Sequence, residues 1–76
     1  MDAVVRAHFT PTFQDELNGA LDSEIATNGT VNIPRLAEAI RVRNEQLNIA
    51  LEDIASELMR RALARNALME FDALQS

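Results

Sequence analysis

Three stretches of this chain repeat apolar residues at helical spacing, and a short stretch between the first two alternates instead. Phe13, Leu17, Leu21 and Ile25 step by four, with Ala20 between them and Asp15, Glu16, Asp22 and Glu24 on other faces. Apolar residues so spaced line one side of a helix. Thr10 before Pro11 is a start signal, because threonine can cap a first turn and proline suits its first position; Thr12 with Asp15 offers an alternative capping box. The pattern predicts a helix over residues 11–26. Gly19 within it costs up to about 1 kcal/mol relative to alanine.

The segment "TNGTVNIP" at 27–34 reads as a joint. Asn28 and Gly29 are the residue types that accept a left-handed backbone, so they end one helix and start a turn. Val31 and Ile33 alternate with Asn32, which suits a short extended run able to pair as an edge with a second copy. Pro34 holds Ile33 extended and then fits the first turn of a second helix.

That second helix, over residues 34–43, would bury Leu36, Ala37 and Ile40. Two readings compete beyond it. Ala37, Ile40, Asn44, Leu47, Leu51, Ile54 and Leu58 keep an unbroken three–four spacing, as one long helix would, until Arg61 and Arg65 end the seam. Alternatively Asn44 caps a new helix with Glu45 in its first turn, where a carboxylate favours the dipole. The echo between "QDELNGALD" (14–22) and "NEQLNIALE" (44–52) supports a new start near Asn44, so a third helix is expected over 45–71. Its polar pairs, Glu52/Asp53, Ser56/Glu57, Arg60/Arg61 and Arg65/Asn66, recur about every four residues, and Glu57 with Arg61 forms a favourable i,i+4 ion pair.

The implied fold class is all-α: a small three-helix domain with a long amphipathic C-terminal helix. Residues 1–10 form an N-terminal arm, 11–72 a single helical domain and 73–76 a C-terminal tail. The apolar face of the third helix looks too wide for two shorter helices to cover, so a dimeric helical assembly is expected. A chain of 76 residues has little core of its own, which adds weight to that expectation.

Composition narrows the functions. Net charge is −5 and pI about 4.6, which opposes non-specific attraction to nucleic acid or an anionic membrane. All seven basic residues are arginine, and six of them fall between Arg35 and Arg65, although even that stretch is nearly neutral. Cysteine is absent, which excludes disulfides and thiolate metal sites. Neither a signal peptide nor a run of about 20 apolar residues is visible, so a soluble, cytoplasmic protein is expected.

Candidate chemistry is sparse. His8 is the single histidine, in the arm, and no serine has a base near it in sequence. Asp53 and Glu57 share a helix face, where such carboxylates are ordinarily solvated. With Gly29 at the sixth position of a calcium loop, the ligand positions become Glu24, Ala26, Asn28 and Arg35, and two essential oxygens are missing. No catalytic residue, metal or cofactor is expected. Function is read as protein–protein interaction, with itself as a homodimer or with another helical protein in a regulatory complex. Leu51, Ile54, Leu58, Ala62, Met69 and Phe71 are the candidate interface, with Arg60, Arg61 and Arg65 at its rim. The rival class is a small helix-turn-helix DNA-binding regulator built on "LAEAIRVRNEQLNIALEDIA". Its turn lacks glycine, and Asn48, Glu52 and Asp53 would face phosphate.

Overall fold

The computed structural model describes residues 9–71. The expectations for residues 1–8 of the arm, His8 among them, and for the 73–76 tail lie outside the described residues. In chain order the elements are helix α1 (Pro11–Asn28), strand β1 (Thr30–Asn32), helix α2 (Ile33–Arg43), a single 3-10 turn (Glu45–Leu47), helix α3 (Leu51–Ala64) and strand β2 (Leu68–Glu70). Among the described residues the architecture is mostly helical, with one short parallel strand pair.

The first two helices begin where local chemistry starts them. Thr10 Oγ1 accepts from the Phe13 amide at 3.2 Å with Pro11 in the first turn, so the Thr12–Asp15 alternative is not used. Asn32 caps α2 through the Arg35 amide at 3.1 Å, and Pro34 sits in that first turn. Gly29 takes φ 77°, and its amide bonds the Ile25 carbonyl at 2.9 Å, closing α1. Phe9 stacks edge-on against Phe13, with ring centroids 5.3 Å apart, which ties the described end of the arm to α1.

The core takes one stripe from each helix: Phe13, Leu17 and Leu21 from α1, Ile33, Ala37 and Ile40 from α2, and Ile54, Leu58 and Ala62 from α3. Val31 of β1 and Ile49 of the connection complete it. α2 packs mainly along α3, while α1 closes the remaining side against β1 and α3. Burying a leucine, isoleucine or phenylalanine fully contributes about 1.5–3 kcal/mol, so these stripes dominate the stability.

The long C-terminal helix expected over 45–71 does not form, and α1, not α3, is the longest helix. Both ends have a physical cause. Asn44 closes α2 instead of opening α3, because its side-chain amide donates to the Ile40 carbonyl at 2.9 Å and to Glu16 Oε1 at 3.0 Å. The chain makes one 3-10 turn, and Asn48 reverses it at φ 57°. A continuous helix would set Ile49 in line with Glu52, Asp53 and Ser56 on the wet face; breaking the helix lets Ile49 turn inward, where it is buried. The echo between 14–22 and 44–52 therefore marks no common helix start.

At the other end α2 has eleven residues, about 16 Å of helix, and cannot cover a partner helix running to 71. The chain leaves α3 instead through a left-handed Asn66, φ 56°. The Ala67 amide bonds the Ala62 carbonyl and the Asn66 amide bonds the Leu63 carbonyl, each at 3.0 Å. Those paired bonds are the helix stop in which a left-handed residue lets two amides reach back over the last turn. The freed segment becomes β2 and satisfies the edge of β1. Of the two residues expected in an extended run, Val31 lies in β1, where Thr30, Val31 and Asn32 pair with Leu68, Met69 and Glu70 of the same chain, and Ile33 already opens α2. Among the described residues no helix is long and apolar enough to cross a membrane.

Candidate interaction surface

β2 carries the surface of interest. Its side chains alternate: Leu68 and Glu70 point to solvent, and Met69 packs against the core. Among the described residues β2 pairs with β1 alone, and no described strand lies along its second edge. An open edge offers unpaired backbone donors and acceptors to any extended chain. Exposed apolar side chains belong to β2 and the residues flanking it in sequence: Leu63, Leu68 and Phe71 are 62%, 69% and 54% exposed. They all fall within residues 63–71. The other large exposed apolar residues, Val42 and Leu51, belong to α2 and the first turn of α3.

The candidate interface residues separate accordingly. Ile54, Leu58 and Ala62 are completely buried in the chain's own core, so they have no surface left to give a partner. The face that looks too wide in sequence is covered because α3 is shorter than its apolar pattern. Leu51 is only marginally exposed, Met69 is half-buried and Phe71 is open. Leu63 and Leu68 are surface residues that the periodicity conceals. In a helix running to 71 they read as part of one apolar band, and Asn66 is the available sign that the helix stops before Leu68.

The arginines expected at a rim hold helices together. Arg61 donates to Asn18 Oδ1 at 3.0 Å and to Glu57, and Arg65 donates to Asn18 at 3.2 Å and to Asp22 at 2.8 Å. Both therefore clamp α3 to the polar side of α1. Arg43 does the same for the end of α2, bonding Glu16 at 3.0 Å. Arg60 is exposed and pairs with Glu57.

Beside β2 lies an open hollow of about 350 Å³, lined by Glu24 and Asn28 of α1, Thr30 and Asn32 of β1, Arg35 of α2 and Glu70 of β2. Glu24 accepts from the Asn28 side-chain amide at 2.9 Å. Arg35 and Glu70 form no ion pair among the described residues. Two carboxylates against one guanidinium leave the hollow net negative. Among the described residues no group of three or more metal-ligating side chains comes together. No protein-family model matches the chain, and no curated protein or solved structure does either.

Proposed function

We propose that this protein is a small non-catalytic interaction module of the cytoplasm that docks through the edge of β2. It would serve as a homodimer or as the helical subunit of a regulatory complex. The observation that carries the reading is the exposure of Leu63, Leu68 and Phe71, on β2 and within five residues of it in sequence, beside a core that the described helices otherwise close. A strand edge flanked by apolar side chains associates by adding a strand, with main-chain bonds giving affinity and alternate side chains giving selectivity.

The test compares wild type with Leu68→Asp/Phe71→Asp and with Val42→Asp, which alters an exposed apolar residue elsewhere. Light scattering over a hundredfold concentration range reports self-association, and capture from native lysate reports other partners. The double variant should stay folded by circular dichroism and lose the association, while Val42→Asp keeps it. Association that is equal in all three proteins, or absent from wild type in both assays, sinks the reading.

Duplex DNA binding is the second reading, favoured by the packing of α2 on α3 in a strand–helix–turn–helix–strand order. Against it, residues 44–50 separate the helices where such motifs use three or four residues. Glu52 and Asp53 occupy the first turn of α3, and Arg61 and Arg65 are engaged with α1. Salt-dependent binding to a duplex, weakened by Arg60→Ala, would reverse this ranking.

A further inference from the structure

Resting on the reading of β2 as a docking edge, we infer that its occupant is an extended, basic segment of another protein. That segment adds as a third strand, with an apolar residue beside Leu68 and a lysine or arginine two positions away beside Glu70. Side chains two apart on a strand share a face. Leu68 and Glu70 both face solvent, and a strand laid on this edge brings its own alternate residues against them. Next to Leu68 the favourable neighbour is apolar. Next to Glu70 it is a cation, because Glu70 has no ion-pair partner among the described residues and borders a hollow that also holds Glu24. Arg35 supplies one positive charge there against two negative ones. The whole chain adds its net charge of −5 to that local field.

Charge also disfavours a second copy. An antiparallel β2–β2 pair centred on Met69 sets each Glu70 against the partner copy's Leu68, drying a carboxylate with no counter-charge. Moving the register to pair Glu70 with itself sets like charges opposite one another, which is destabilising. Two copies also bring two negative chains together. A helical occupant is disfavoured because its backbone bonds are internal and leave the β2 edge unpaired.

The probe is a pair of blocked five-residue peptides, acetyl-Thr-Val-Thr-Lys-Thr-amide, whose valine and lysine lie two apart on one face, and its counterpart with glutamate for lysine, titrated into the full-length 15N-labelled protein. The lysine peptide should shift the amides of Leu68, Met69, Glu70 and Phe71, and the glutamate peptide should bind about tenfold more weakly. Glu70→Gln should weaken the lysine peptide about two- to fivefold, the worth of one cross-strand charge pair. Glu52→Gln, which removes an equal charge from exposed α3, should leave it unchanged. Absent binding, equal binding of both peptides, or shifts centred away from β2 would each overturn the inference. So would a peptide-free dimer joined through β2, or β2 edge amides already protected in the monomer. If Leu68→Asp/Phe71→Asp abolishes a native association while the lysine peptide shows no preference, the docking edge stands and only its basic occupant fails.

Discussion

The same backbone device occurs twice in this molecule with opposite outcomes. α1 ends at a left-handed Gly29 and passes into β1; α3 ends at a left-handed Asn66 and passes into β2. The two strands then lie parallel and in register. Yet Val31 at the centre of β1 is fully buried, whereas its partner Met69 at the centre of β2 is only half-buried, and Leu68 is far more exposed than its partner Thr30. The difference lies in the elements packed around each strand. β1 is succeeded at once by α2, whose Asn32 cap and Ile33 anchor hold it inside. Each strand has the other as its one strand neighbour among the described residues, so the contrast comes from the helices: α1 and α2 both pack on β1, whereas β2 rests mainly on α3. A helix–turn–strand unit is thus structural or available according to its surroundings, not its own conformation.

Exchanging charge between the two strands gives the largest contrast. Val31→Asp places an unpaired carboxylate in the core and should cost at least about 3 kcal/mol, enough to unfold a domain this small. Leu68→Asp, at the residue paired with Thr30, should change stability by no more than about 0.5 kcal/mol. Urea denaturation monitored by circular dichroism measures both. Comparable destabilisation by the two changes would mean that Leu68 is as buried as Val31.

The two left-handed turns supply a smaller effect with opposite signs. A Cβ on Gly29 meets nothing within 4 Å, so the cost of Gly29→Ala is the strained φ alone, about 1–2 kcal/mol. Asn66→Gly relieves a strain that asparagine already tolerates well, and should raise stability by a fraction of that. The same denaturation curves decide it. A neutral Gly29→Ala would show that the turn is not held left-handed.

The smallest effect is expected from pH on α2. The side-chain hydrogen bond from Arg41 holds the Glu38 carboxyl below its ordinary pKa, at 2.6–3.0 Å between the paired atoms. A lowered folded-state pKa contributes stability that is complete above the ordinary glutamate value and fades as pH falls through the lower folded value. Glu38→Gln should remove that increment at neutral pH and flatten the acid limb slightly. Because both side chains are substantially exposed, the effect is screened and small.

Helix starts are readable from local chemistry. Thr10-Pro11 and Asn32 with Pro34 act within one turn of themselves, and Phe13, Leu17, Leu21, Ala37, Ile40, Ile54 and Leu58 keep the period that packs a helix. The end of α1 at Asn28-Gly29 and the break after Arg43 are legible for the same reason. The candidate surface is less so. Phe71 and the half-buried Met69 stand out in sequence, but Ile54, Leu58 and Ala62 look equally eligible, since periodicity says which residues seek burial and not which find it.

The chain alone therefore determined where its first two helices nucleate and which stripes seek burial, because capping and amphipathic spacing are local. Tertiary structure decided the rest. The length of α2 limits how much of α3 can be covered, the pull of Ile49 into the core delays the start of α3, and the vacant edge of β1 draws residues 68–70 out of helix into strand. Those outcomes depend on segments that meet only after folding, and they leave Leu63, Leu68 and Phe71 outside.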